Sequence, residues 1–179
     1  MKKLYSYNYL ILILVFLLYS GCMGIKINAT KSPKKLFETF YVGEEGSQYF
    51  IKPISFSNDS DKLLIDFTFR YKDKIKDSAI VNISFFTNEI IKECDSLKIT
   101  INKHFIVVEN PKYLFSERKK DKYTSRFSLK IPVIDLYNFF NENYWEIISY
   151  YNNASVTFFS TKKTSKKIEK LNYHIFSLF

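Results

Sequence analysis

Glycine is almost missing from this chain. There are four, Gly21, Gly24, Gly43 and Gly46, and none follows Gly46. Phosphate-cradling loops, nucleophile elbows and dinucleotide-binding turns need glycine for positive φ or close backbone approach. The long glycine-free stretch excludes those classes. Histidine is as scarce: His104 sits in a turn-like stretch and His174 in an apolar tail, too far apart for a helical zinc spacing. Cysteine occurs only at Cys22 and Cys94. Cys94 stands between Glu93 and Asp95, whose carboxylates raise a thiol pKa and suppress the thiolate that a nucleophile needs. It reads as the filler of a small apolar gap. Alanine, the best helix former, is limited to Ala29, Ala79 and Ala154, while Phe and Tyr number 18 and 14. The composition leans towards strands, carries no set of cofactor or metal ligands, and reads as non-enzymatic.

Acidic residues supply the strongest enzymatic alternative. Glu44 and Glu45 lie between Gly43 and Gly46, and Asp59 and Asp61 share the segment Asn58-Asp59-Ser60-Asp61. Two carboxylates facing one cleft would suit an envelope hydrolase acting on glycan or peptide. The second segment also offers oxygens to calcium. It lacks the following glycine and distant glutamate of a dedicated calcium loop, so an Asx turn explains it more simply.

What is abundant is alternation. Leu63, Ile65, Phe67, Phe69 and Tyr71 alternate with Leu64, Asp66, Thr68, Arg70 and Lys72; Ala79–Phe85, Leu97–Ile101, Phe127–Ile131 and Val156–Phe158 follow the same period of two. Half-buried antiparallel strands give this pattern, whereas buried parallel strands read as solid apolar runs. Asn102-Lys103-His104 predicts one hairpin and Arg118–Lys122 a second. Pro53 breaks the phase of Tyr49–Phe56, which places that strand at an edge or a bulge. Pro132 opens a helix with Val133, Leu136, Tyr137, Phe140 and Tyr144 on one face, and Asn88–Cys94 gives a shorter helical turn. The tail Ile168–Phe179 fits either period; a strand is preferred because a turn-rich run, Thr161–Lys167, precedes it. Trp145 is expected in the core. The fold class is mostly β, an antiparallel β-sandwich with one or two short helices; α+β with one antiparallel sheet is the alternative.

The start of the chain carries the most specific signal. Lys2 and Lys3 precede an unbroken apolar run, Leu10–Leu18, and the small residues Ser20 and Gly21 lead directly to Cys22. This is the three-part secretory pattern, and the run is short for a membrane span. The segment Leu18-Tyr19-Ser20-Gly21-Cys22 resembles the lipobox of bacterial lipoproteins, with Tyr19 where an aliphatic residue is more usual. The resemblance implies that a lipid is attached to the Cys22 thiol and that the leader is cut between Gly21 and Cys22. It implies acylation, as with palmitate, of the new amino terminus. It covers the leader alone. Residues 1–21 are then a signal peptide, 22–35 an acylated cysteine and flexible tether, and 36–179 a β-rich domain. The tether carries Lys26, Lys31, Lys34 and Lys35, which suit anionic head groups. By resemblance to well-studied lipoproteins, Met23 after the anchor, rather than Asp, implies the outer membrane or periplasmic face of the cell envelope.

Net charge is +9, and every acidic residue lies after Cys22. Such a balance favours acidic partners, and export argues against nucleic acid. Besides the membrane, held through lipid on Cys22, an acidic ligand or protein of the envelope is the expected partner. Basic runs fall at turn-like places. Arg118, Lys119, Lys120 and Lys122 on a hairpin tip, with Lys162 and Lys163, would make a positive rim if the tips gather at one end. The function expected is a non-catalytic binding or structural domain on a lipid anchor, with the hydrolase and a surface-exposed adhesin as alternatives.

Overall fold

The computed structural model describes residues 33–71, 78–102 and 104–178. The leader, the cleavage site, Cys22 and the tether as far as Ser32 lie outside them, as does Lys72. The described residues form ten strands: β1 (Phe37–Tyr41), β2 (Ser47–Ser57), β3 (Lys62–Tyr71), β4 (Ser78–Thr87), β5 (Ser96–Ile101), β6 (His104–Glu109), β7 (Lys112–Lys119), β8 (Lys122–Pro132), β9 (Glu146–Tyr151) and β10 (Ala154–Ser160). Two helices join them, α1 (Val133–Phe140) and α2 (Lys162–His174), with single 3-10 turns at Pro33–Lys35, Gly43–Glu45 and Phe176–Leu178.

Register turns the period of two into a core. Ile51, Ile54 and Phe56 of β2 face Phe67, Ile65 and Leu63 of β3. Those three face Val81, Ile83 and Phe85 of β4, and Val81 and Ile83 face Leu129 and Phe127 of β8. All of these side chains are buried. The other face of the same strands is mostly polar. There Asp66 takes a hydrogen bond from Asn82 (2.9 Å) and pairs with Arg126 (2.8 Å), which also donates to Ser84.

All ten strands belong to one antiparallel sheet in the order β6-β5-β9-β10-β2-β3-β4-β8-β7, with β1 also paired to β2. The outermost strands, β6 and β7, are consecutive in the chain and separated only by Asn110 and Pro111. Two opposite margins joined by so short a link are brought together at that end, so the sheet curls and leaves a seam between them. Ring contacts cross the interior: Phe85 of β4 lies 6.1 Å from Phe158 of β10 and 5.8 Å from Tyr151 of β9. The expected layers of a mostly β, antiparallel fold are thus two flanks of one curled sheet.

Both helices contribute to the core inside the curl. Phe140 of α1 stacks on Phe176 at 4.3 Å, and Phe176 stacks on Phe69 of β3. Trp145 is fully buried among Phe56, Phe67, Phe139 and Phe140. Its indole N–H donates to the carbonyls of Phe139, in the last turn of α1, and Glu142, just past it. A buried indole needs such a partner.

Three local expectations require correction. The tail is helical over Lys162–His174 and continues in a 3-10 turn, not a strand. Thr161 caps this helix by accepting from Thr164 N–H, and Ile168, Leu171 and Ile175 fall on its buried side. Asn88–Cys94 is not helical, because its polar groups bond outward: Ile91 N–H donates to Ser125 Oγ, and Thr87 Oγ1 donates to Glu89 O. Helix α1 stops at Phe140 and leaves Tyr144 exposed. The bulge expected at Pro53 is present as a register shift between Ile51 and Ile54.

Candidate functional site

The site grows out of an irregularity in β2. The edge of β2 away from β3 is shared by two strands. β1 pairs with Ser47–Ile51, and β10 pairs with Phe56 and Ser57. Between them runs a stretch, 52–55, that no strand covers. Backbone polar groups left without partners inside a fold are costly. The N–H of Lys52 is taken by Leu36 O at 2.9 Å, and Pro53 has no N–H to satisfy. The carbonyls remain, and α2 supplies their donors. Lys167 Nζ donates to Lys52 O (3.1 Å) and Pro53 O (2.9 Å), and Thr164 Oγ1 donates to Ser55 O. A helix thus takes the place of a missing piece of strand. Burial pushes the Lys167 ammonium pKa below its usual value, and the charges of Lys163 and Lys52 push it the same way.

This docking fixes which way α2 faces. Thr164, Ile168 and Leu171 turn inward. Lys162, Lys163, Lys166, Lys167 and Lys170 recur at i, i+1, i+4, i+5 and i+8, one broad stripe at 3.6 residues per turn. With Leu36 they line an open groove of about 540 Å³. The first turn of α2 holds Lys162 and Lys163 and no acidic residue. Cations there oppose the positive end of the helix dipole, so helix stability does not explain the arrangement. Beside it, Lys34, Phe37, Glu38, Thr39, Phe40 and Lys52 line a second groove, of about 520 Å³. Glu38 is tied to Lys52 at 2.7 Å. Phe40 and Tyr41 on β1 are 54% and 81% exposed, a large apolar and aromatic surface to leave in water.

The six residues of the expected rim fall on two elements. Lys162 and Lys163 belong to the α2 stripe. Arg118, Lys119, Lys120 and Lys122 form the tip of the β7–β8 hairpin, where Lys120 adopts φ 59 and Arg118 Nε donates to Lys120 O. Lys122 is engaged by the β2–β3 turn, donating to Ser60 O and pairing with Asp61 at 3.2 Å. Register puts both groups at the same end of the sheet, because Ser160 pairs with Phe56, Ser57 with Lys62, Lys62 with Phe86, and Phe86 with Thr124. From β10 to β8 is four strand steps, roughly 20 Å along the sheet. The expected rim names Lys162 and Lys163 of the denser cluster and misses Lys166, Lys167, Lys170 and Leu36. The five lysines at helical spacing are the signal that would have found them.

The acidic groups are not brought together. The 3-10 turn with Glu44 precedes β2, and Asp59 and Asp61 follow it, so the two pairs sit at opposite ends of an 11-residue strand, roughly 35 Å apart. Asn58 Oδ1 accepts from the N–H groups of Ser60 (3.0 Å) and Asp61 (2.7 Å), the Asx turn expected there. Among the described residues no cluster of His, Cys, Asp and Glu has the makings of a metal site. His104 is exposed in the β5–β6 hairpin, and His174 lies edge-on to Tyr173 at the end of α2. Cys94 is buried, and its thiol pKa is pushed up to about 11 by burial and by Asp95. No helix among the described residues is long and apolar enough to cross a membrane.

No protein-family model, curated protein or solved structure matches this chain.

Proposed function

We propose that this is a lipoprotein of the bacterial cell envelope, held by lipid on Cys22, whose β domain binds or supports and does not catalyse. The observation that carries the reading is the order of signals at the start of the chain: two lysines, an apolar run, and Ser20-Gly21-Cys22. Each buried methylene of an attached acyl chain contributes about 0.8 kcal/mol to membrane attachment, so one chain is marginal and two or three hold firmly. A bulky, well-buried core with a basic, aromatic-flanked exterior suits a body held beside a bilayer. The hydrolase alternative loses its support, since Glu44 and the pair Asp59 and Asp61 lie at opposite ends of β2. The buried, proton-holding thiol of Cys94 does not suit nucleophilic attack.

Feeding labelled fatty acid to cells that make the wild-type chain or Cys22→Ser tests this. Label in the wild type and none in the variant is expected. An unlabelled wild type, or equal label in both, would end the reading.

A further inference from the structure

We infer that the lysine stripe of α2 is the face that seats this domain on an anionic lipid surface. The inference rests on the anchored reading and adds to it an orientation. Three observations converge on the same side of the molecule.

The first is where the chain enters the domain. Pro33–Lys35 forms a 3-10 turn, and Leu36 then lines the lysine groove itself. A continuous set of hydrogen bonds fixes that proximity: Leu36 O accepts from Lys52 N–H, and Lys52 O accepts from Lys167 Nζ. From Cys22 to Pro33 the chain reaches at most about 40 Å even when fully extended. A lipid on Cys22 therefore keeps the point of entry, and with it the groove, near the bilayer.

The second is charge. Five lysines on one helix face, with Glu169 the one acidic residue of that helix, give a compact, net positive surface. Lys34 and Lys35 stand exposed immediately before Leu36 and extend it. Each lysine brought to an anionic leaflet improves partitioning about fivefold, an effect that fades within the screening length of the salt. The third is Phe40 of β1, exposed where it lines the second groove together with Lys34 and Lys52. An exposed apolar ring beside lysines suits insertion at the boundary of head groups and acyl chains. A nucleic acid or an acidic protein would be met by the same charge, but neither explains why the chain enters at this place.

The sheet order supplies internal controls. β2 and β10 lie in the middle of the strand order and α2 docks on them, while β6 and β7 form the seam. In a sheet curled so that its margins are joined at one end, the middle strands lie opposite those margins. Lys92 and Lys112 are exposed near that seam and should face away from the lipid.

The mature protein, purified with its anchor, is placed on vesicles of pure phosphatidylcholine or of phosphatidylcholine with phosphatidylglycerol, and lysines are acylated with an amine-reactive reagent and read by mass spectrometry. The intact mass of the same sample reports lipid on Cys22 independently, so failure of the anchor and failure of the docking face are separate results. Labelling of Lys162, Lys163, Lys166 and Lys170 should fall about fivefold on the anionic vesicles, return at high salt, and leave Lys92 and Lys112 unchanged. Equal labelling of the four lysines on both vesicles would overturn the inference. So would protection found in native envelopes but not on anionic vesicles, which would give the face to an acidic protein. A chain with Lys162→Gln, Lys163→Gln, Lys166→Gln and Lys170→Gln, which spares the structural Lys167, should lose the vesicle-dependent protection of Lys34 and Lys35. Retained protection there would count against α2 as the seat.

Discussion

Cys94 lies beneath the surface with its Sγ donating to Ser96 O at 3.5 Å. Burial disfavours the thiolate, the carboxylate of Asp95 disfavours it further, and the pKa moves from 9.0 to about 11. The sign of the consequence follows from linkage. An acid whose pKa is raised by folding holds its proton in the native state after the unfolded chain has released it. Its contribution to stability is complete below pH 9.0 and is lost as pH rises towards about 11. Tyr151, raised by burial and by Asp61 and Cys94, and Tyr49, raised by burial and by Tyr71, act in the same direction. Alkylation of Cys94 by iodoacetamide should therefore show a native pH midpoint of about 11 and a midpoint near 9.0 in denaturant. A native midpoint at the denatured value would show the thiol to be open to solvent. The sequence foresaw this residue's character from its acidic neighbours. It could not show that burial is the larger cause, because the gap Cys94 fills is made by strands distant in the chain.

At the scale of elements, α2 decides most. It mends the edge of β2, and Thr164 does so while its own N–H is held by the cap residue Thr161. Thr164→Val keeps the shape and removes the hydroxyl, and with it the part-buried bonds to Ser55 O and Thr161 Oγ1, at a cost of about 1 kcal/mol. Thr164→Ser keeps the hydroxyl and should stay close to wild type. Denaturant unfolding followed by Trp145, the one tryptophan and fully buried, reads both. Valine and serine variants of equal stability would mean that the hydroxyl bond contributes nothing. Strands β3, β4 and β8 are legible in the sequence because one face is buried and the other polar, so period alone identifies them. Helix α2 is not, because Leu171, Tyr173 and Ile175 also alternate. Only the inward contacts of Ile168 and Leu171 decide between the periods. β9 is missed for a related reason: Ser149, a polar residue, occupies a fully buried position and donates to Val156 O, which interrupts the apolar signal.

The described domain is one curled sheet, with the β6–β7 seam on one side and the lysine-bearing helix on the other. That closure is written in no local pattern. It follows from the two-residue link between β6 and β7 together with a strand order that puts them at opposite margins. The candidate site shares this dependence on distant contacts. Its lysines are visible in the sequence, but their union with Leu36 rests on the gap in β2. Seating α2 on the bilayer turns the seam outward, along with the exposed Phe105, Val107, Leu114 and Phe115 of its two margins. All of this presumes that the thiol of Cys22 carries the lipid. The intact mass of the chain recovered from the membrane fraction tests that most directly. The account predicts a polypeptide beginning at Cys22 and heavier than its residues by two or three acyl chains. A chain that still carries residues 1–21, or one that begins at Cys22 with no added mass, would contradict it.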